Sequence, residues 1–94
     1  MDKITNEKLD RYFDLTERAL KKAKDSKNAS RLDKKVRDDF IDMIERYVSD
    51  AKHFRKNNDF VNAFAAVSYA HGWLDAGARI GLFDVHDNEL FTAD

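Results

Sequence analysis

Cysteine and proline are absent from the 94 residues, and glycine occurs only three times. Without cysteine the chain can form no disulfide, no thiol nucleophile and no cysteine-ligated metal site. The absence of proline and the scarcity of glycine favour long helices over a strand-and-turn architecture. No run is long and apolar enough to span a bilayer, and residues 1–20 lack the apolar run of a signal peptide. We therefore expect one cytoplasmic domain over residues 1–94, with no cofactor and no membrane partner.

Two one-sided amphipathic segments occupy the first part of the chain. The first predicts a helix over residues 6–25, with the Thr5 hydroxyl capping its first turn. The second predicts a helix over residues 31–56, because Ser30 and Asp33 have the spacing of a capping box. The connection to the next segment is short, which predicts antiparallel packing of neighbouring helices.

The third segment, over residues 59–80, is apolar on two sides. A helix of this kind must be covered on both sides, so it lies centrally or forms an interface. Gly72 and Gly77 each cost about 1 kcal/mol in a helix interior relative to alanine, which predicts close packing at both positions. Gly81 fits the left-handed position that ends many helices. The pattern predicts an all-α, antiparallel three-helix bundle with a short C-terminal extension over residues 82–94, packed on the bundle as far as about Val85.

One run in the third segment carries a family resemblance. It is Tyr69-Ala70-His71-Gly72-Trp73-Leu74-Asp75-Ala76-Gly77, within the longer run from Phe64 to Phe83. This run resembles the signature of an archaeal family known only as domain of unknown function 357, and the two upstream helices match that family in pattern. The resemblance implies a cytoplasmic archaeal three-helix bundle. It implies no known activity, catalytic residue or cofactor.

The second apolar side of the third helix is the leading candidate for a functional surface. Large aromatic side chains among alanines make close, desolvated contacts with a partner. The residues expected at this interface are Tyr69, Trp73, Ala76 and Ile80. We expect the face to be covered either by the C-terminal tail or by a second copy, which favours a non-enzymatic interaction or oligomerisation module that binds itself or another protein.

The basic end of the chain supports an alternative. Residues 18–37 contain nine lysines and arginines against two aspartates, although the formal net charge of the whole chain is −1. Such a cluster can contact phosphates without sequence preference, but interleaved aromatic side chains for base stacking are missing. The candidate nucleic-acid contacts are Lys21, Lys24, Lys34 and Lys35.

A hydroxyl, an imidazole and a carboxylate share one side of the third helix in Ser68, His71 and Asp75. A single straight helix rarely builds a catalytic relay, so we favour a structural His71 that donates to Asp75, which in turn pairs with Arg79. Metal binding by His71 and Asp75 would need a further ligand such as His53, and no second metal-binding helix pattern exists. A helical ribonuclease using arginine and histidine, Arg46 with His53 or Arg79 with His86, is a further alternative with weak spacing support. We predict neither a catalytic nor a metal site.

Overall fold

The computed structural model describes residues 3–92, in which three helices make up the secondary structure. These are α1 (Asn6–Asp25), α2 (Lys34–Lys56) and α3 (Phe60–Arg79). Each begins at a side-chain cap: Thr5 accepts from the Lys8 N–H at 3.1 Å, Asp33 from Val36 at 3.1 Å and Asp59 from Asn62 at 3.2 Å. The prediction of an all-α three-helix bundle is confirmed.

The start of α2 differs from the prediction. The helix begins at Lys34 and not at residue 31, because Ser30 organises a turn instead of capping a helix. Its hydroxyl accepts from the Leu32 N–H at 3.1 Å and donates to Asn28 Oδ1 at 2.6 Å. Aspartate at position 33 then serves as the cap itself, as its short acceptor side chain allows. Leu32 therefore lies before the helix and is exposed.

The remaining helix ends agree closely with the sequence pattern. Helix α1 has the predicted bounds, and α3 is one residue shorter than predicted at each end. Gly81 has φ +84°, the left-handed conformation predicted for the residue after the helix. Its carbonyl accepts from the Ala29 N–H at 2.8 Å, which joins the turn after α3 to the connection between α1 and α2.

Helix α2 runs antiparallel to both other helices. At one end, Arg37 near the start of α2 reaches the carbonyls of Ala23 and Leu82, which lie at or beyond the ends of α1 and α3. At the other end, Arg55 near the end of α2 binds Asp10 in the first turns of α1. The bundle is therefore an up-down-up arrangement.

The core consists of two clusters along the bundle. The cluster near the start of α1 contains the buried residues Leu9, Phe13, Ala51, Ala63, Ala66 and Val67. The other joins all three helices to the C-terminal segment and contains Ala19, Ala23, Ile44, Val48, Ala70, Leu74, Leu82, Phe83, Val85, Leu90 and Phe91. Helix α3 contributes to both clusters, which explains its small, closely packed residues.

The C-terminal segment packs further along the bundle than predicted. Burial was expected to end near Val85, but Leu90 and Phe91 are each only 2% exposed. Asp87 builds a turn by accepting from the N–H groups of Glu89 and Leu90 at 2.9 and 3.2 Å, which turns the two apolar residues back onto the bundle. We call residues 82–92 the strap. The end of the predicted tail, residues 93–94, lies outside the described residues.

Candidate functional site

The side of α3 that faces away from the core is an exposed, largely apolar surface, which we call the outer α3 face. It is formed by Val61, Ala65, Ser68, Tyr69, Gly72, Trp73, Ala76 and Ile80, all of them exposed. The large side chains keep much of their surface in water: Val61 is 69% exposed, Tyr69 62% and Ile80 50%. The four residues proposed from the sequence as an interface, Tyr69, Trp73, Ala76 and Ile80, therefore share one open surface.

Two rings from α2 hold the aromatic side chains of this face in place. Tyr69 stacks on Tyr47 with ring centroids 5.7 Å apart, and Trp73 meets Phe40 edge to face at 5.3 Å. Such ring pairs contribute about 0.5–1.5 kcal/mol beyond their buried area. Tyr69 and Trp73 thus form a fixed ridge beside the helix axis. Helical spacing places Phe40 and Tyr47 on the apolar side of α2, but it does not show which rings of α3 they meet.

A shallow groove runs beside this ridge. Ser68, Gly72 and Ala76 succeed one another at four-residue intervals, and with Tyr69 and Trp73 they line a cavity of about 260 Å³. A Cβ atom added at Gly72 would have no neighbour within 4 Å. The predicted close approach at Gly72 is therefore wrong within this chain.

Gly77 behaves as predicted. A Cβ atom there would collide with the Phe83 ring, whose Cδ2 would be 2.7 Å away. The strap therefore packs against α3 at Gly77.

The strap covers a different side of α3, the one that faces α1. His71 Nε2 lies 2.7 Å from the Leu90 carbonyl oxygen, and the Thr92 N–H donates to Asp75 Oδ1 at 3.0 Å. Ion pairs from Lys22 to Asp87 and from Arg18 to Glu89 join the strap to α1. Of the two covers considered for the outer α3 face, the strap is ruled out in this arrangement, because it leaves that face exposed.

His71 connects α1, α3 and the strap. A carbonyl oxygen can only accept, so Nε2 carries a proton toward Leu90, and in the neutral ring Nδ1 accepts from the Thr16 hydroxyl at 3.0 Å. The expected partner Asp75 is 3.9 Å from Nε2, beyond hydrogen-bond distance. Among residues 3–92, Arg79 makes no ion pair with Asp75, contrary to the prediction. The hydroxyl that reaches the imidazole belongs to the buried Thr16 and not to Ser68, which removes the geometry of a serine relay.

The basic end is partly neutralised by its own surroundings. Lys24 pairs with Glu45 at 3.2 Å, and Lys34 pairs with Asp38 at 2.6 Å. Within the described part of the chain, Lys21 and Lys35 form no ion pair, so they are the more available of the four candidate phosphate contacts. Exposed pairs of this kind hold their partners by at most about 1 kcal/mol, so a phosphate can displace them.

Arg37 was counted in the basic cluster, but it has a structural task. Its Nη2 donates to the carbonyl oxygens of Ala23 and Ser26, both at 2.8 Å, and its Nε donates to that of Leu82 at 3.2 Å. The carbonyls at the end of an α-helix have no intrahelical partner, and a guanidinium with five N–H groups can satisfy several at once. No local sequence signal marks this role, because the three acceptors belong to distant segments.

The residues considered for a ribonuclease site and for a metal site are not brought together within residues 3–92. Arg46 pairs with Asp42 on its own helix, and His53 contacts Asn57 and Phe54. His86 lies 3.0 Å from Asp84 Oδ1. Across residues 3–92 no group of three or more histidine, aspartate or glutamate side chains is arranged to hold a metal ion. None of the helices described is both long and apolar enough to cross a membrane.

The fold and the site define a small all-α protein of three helices, with a strapped core on one side of α3 and an exposed apolar face on the other. Comparison with known families assigns it more closely. The family model described as protein of unknown function (DUF357) matches residues 11–83, and the chain belongs to this family. No curated protein and no solved structure matches the chain.

Proposed function

We propose that this protein is an interaction module that binds another polypeptide through the outer α3 face. One observation carries the proposal: the face is exposed, largely apolar and uncharged over most of its length. Between Phe60 and Leu74 the chain contains no aspartate, glutamate, lysine or arginine, although 37% of all its residues are charged. Exposed apolar patches rimmed by polar residues mark interaction sites on small proteins.

The fixed ridge supports the same proposal. Tyr69 and Trp73 belong to the residue types that most often dominate binding energy at protein interfaces. Their rings are already held by Tyr47 and Phe40, so a partner would meet side chains whose conformational freedom is largely lost before binding. Prior ordering of this kind lowers the cost of association.

We assign the face to binding and not to catalysis. Its side chains offer apolar contact, a tyrosine hydroxyl and one serine hydroxyl. Ser68 lines a cavity of about 250 Å³ together with His71 and Asp75, but both ring nitrogens of His71 are engaged elsewhere, by Thr16 and Leu90. Neither hydroxyl, of Ser68 or of Tyr69, has a hydrogen-bond partner among the described residues. The chemistry of the face is thus suited to excluding water from a contact.

The proposal is tested by site-specific photo-cross-linking in the cells from which the protein comes. A benzophenone side chain at Ser68 should give covalent adducts with a protein, and the same side chain at the exposed Ser49 on the far side of α2 should not. Adding Gly72→Leu to the Ser68 variant should abolish the adducts, because leucine fills the groove. Adducts that form equally from both positions, or from neither, would contradict the proposal.

The basic end supports nucleic-acid binding as the alternative function. Lys21 and Lys35 form no ion pair within residues 3–92, and residues 18–37 have a local excess of positive charge that a phosphate backbone would attract. This function predicts a mobility shift with RNA or duplex DNA that weakens as salt rises. Lys34→Glu with Lys35→Glu should abolish the shift, and a shift that survives both changes would rule out this end of the bundle.

A further inference from the structure

The outer α3 face carries a ridge and a groove side by side on one helix. The ridge is Tyr69 and Trp73, and the groove is Ser68, Gly72 and Ala76. A surface with both features can pair with a copy of itself, since the ridge of each copy enters the groove of the other. Resting on the proposed function, we propose that the occupant of this face is a second copy of the same chain, with the two α3 helices antiparallel.

The order of side chains along α3 defines the register. When two antiparallel copies are centred between Ala70 and His71, Tyr69 of one copy stands opposite Gly72 of the other. Trp73 then stands opposite Ser68. In this register both large ring systems meet the small residues of the groove.

In the same register, small residues face each other one turn further from the centre, and apolar residues face each other at the ends of the contact. Ala65 of one copy lies opposite Ala76 of the other, which allows the backbones to approach closely. Val61 and Ile80, the exposed apolar residues at the two ends of the face, come to the same level along the helices. Centring the pair on His71 instead would place Tyr69 of one copy opposite Trp73 of the other, ring against ring, and would lose this match.

Gly72 supplies an independent argument. Glycine inside a helix costs about 1 kcal/mol relative to alanine, yet among residues 3–92 no atom outside the surrounding turns of α3 lies within 4 Å of a Cβ at this position. The cost has no compensation in a single copy. The ring of Tyr69 from a second copy, seated over Gly72, provides the missing close approach.

The near absence of charge on the outer α3 face favours a second copy of the chain over a partner with a charged contact surface. Each copy offers a helix without charged residues from Phe60 to Leu74, so pairing over that length buries no charge, which would be costly. The exposed Arg79 lies beyond it, near the end of the contact, where its guanidinium can stay in water. A formal net charge of −1 gives little repulsion between copies. A partner with acidic or basic residues at the contact would have to desolvate them against apolar side chains.

The area of the outer α3 face indicates how tightly two copies should bind. From Val61 to Ile80 the helix is about 28 Å long, and with the adjoining rings of α2 the surface is about 18 Å wide. This gives on the order of 500 Å² on each copy, near the lower limit for specific protein interfaces. We therefore expect a reversible dimer with a dissociation constant in the micromolar range.

The first test measures solution mass by light scattering between about 1 and 200 µM, a range that spans the expected dissociation constant. The mass should rise with concentration from the monomer value of 10.9 kDa toward twice that value. Gly72→Leu should weaken association about tenfold or more, because the added side chain occupies the groove. Its fold should persist, since the position is open to solvent, and thermal unfolding followed by circular dichroism checks this.

Ser49→Leu is the matched control, because it adds the same side chain to an exposed helical position outside the face. It should leave the concentration dependence of the mass unchanged. A protein that is monomeric throughout, or a folded Gly72→Leu variant that associates as strongly as the unaltered chain, would overturn the inference.

The second test reads the register and uses the natural absence of cysteine. A mixture of Ala65→Cys and Ala76→Cys proteins should form a mixed disulfide under mild oxidation, because the two positions face each other between copies. Either variant alone should form far less disulfide. Disulfide that forms as readily within each single variant would contradict the antiparallel register.

The two proposals fail in different ways. A monomeric protein that still gives a Gly72→Leu-sensitive photo-adduct with a different polypeptide would overturn the second-copy inference and leave the interaction function in place. A monomer without any adduct would overturn both.

Discussion

Gly72 and Gly77 occupy the same helix and the same sequence motif, yet their surroundings differ completely. Gly77 faces the Phe83 ring, which leaves no room for a methyl group. Gly72 faces solvent. From the sequence alone, close packing is expected at both positions, because glycine in a helix lowers stability by a similar amount wherever it stands. The sequence does not show whether a neighbouring group packs against the glycine and offsets that loss.

Replacing each of these glycines by alanine should therefore have opposite effects. At concentrations where the chain is monomeric, Gly72→Ala should raise the free energy of unfolding by up to about 1 kcal/mol, because alanine favours the helix and meets no neighbour. Gly77→Ala should lower it by about 1–3 kcal/mol, since Phe83 must move from a packed position. Urea unfolding of both variants measures the difference, and equal effects would contradict the packing described.

Asp87 links the strap to α1 and also shapes the strap. The hydrogen bond from Lys22, together with those from the backbone N–H groups of Leu90 and Glu89, holds the pKa of this carboxyl below its ordinary value. A lowered pKa in the folded state means that the carboxylate stabilises the fold above the ordinary aspartate pKa. That stabilisation is lost as the pH falls through the lowered value.

Acidification should therefore weaken the attachment of the strap, and Asp87→Asn should remove this part of the pH dependence. Thermal midpoints measured from neutral pH down to below the ordinary aspartate range should fall less steeply in the variant. Asp50→Asn, at an exposed position without an ion pair in residues 3–92, is the control. If the thermal midpoint depended on pH in the same way in the unaltered chain and in both variants, Asp87 would make no contribution to the pH dependence of stability.

At the scale of the element, the end of α1 is completed by a side chain from α2. Arg37 donates to carbonyls of α1, of the following turn and of the strap, and its guanidinium lies over the Phe83 ring with 5.7 Å between Cζ and the ring centroid. It thus connects α2 both to the end of α1 and to the strap, which lie far apart in sequence. Lysine has one ammonium group and lacks the planar, forked geometry.

Arg37→Lys should lower the free energy of unfolding by about 1.5–3 kcal/mol, as expected when hydrogen bonds from a charged donor are lost and their acceptors stay partly buried. Lys35→Arg is a control that alters a neighbouring cation of α2 without such contacts. Chemical denaturation measures both. A loss no greater than that of the control would mean that solvent satisfies the helix end equally well.

The strap is as much a part of the core as the helices. Phe91→Ala should cost about 2–5 kcal/mol, because the ring is nearly fully buried and its removal leaves a cavity. Asn88→Ala, an exposed change in the same turn, should cost little. If both changes cost the same small amount in thermal unfolding, the strap would be only loosely attached to the bundle.

The helices could be predicted from sequence because local signals define them. Thr5 and Asp59 cap helices whose apolar spacing is already clear, so α1 and α3 fall within a residue of expectation. The start of α2 could not be fixed, since Ser30 and Asp33 are both good caps and only the turn built by Asn28 decides between them. Burial of Phe91 and the partners of His71 depend on a segment that returns from a distant point in sequence, where periodicity gives no information.

The candidate site was predictable to a similar extent. Counting positions around α3 brings Tyr69, Trp73, Ala76 and Ile80 together, because helix geometry alone places them on one side. The sequence did not decide whether the C-terminal tail or a second copy covers that side. The open groove at Gly72 is a property of the tertiary structure. It exists because the strap packs on the side of α3 that faces α1 and leaves the outer α3 face uncovered.

At the scale of the whole molecule, charge and apolar surface are separated. The basic residues cluster where α1 and α2 connect, and the outer α3 face is uncharged over most of its length. Self-association through that face should therefore change little between low and high salt, because no ion pair is formed in it. Light scattering at two salt concentrations tests this, and dissociation of the dimer by salt would indicate contacts through the basic end instead.

The aromatic ridge gives the protein a built-in optical reporter. Trp73 is the only tryptophan in the chain, and with 37% of its surface exposed it senses the water above the outer α3 face. Covering the face should transfer the indole to a drier environment and shift its fluorescence emission to shorter wavelength. Release of the strap, on the side of α3 that faces α1, should leave the emission unchanged. Occupancy of the face can thus be followed without a label and separately from opening of the bundle.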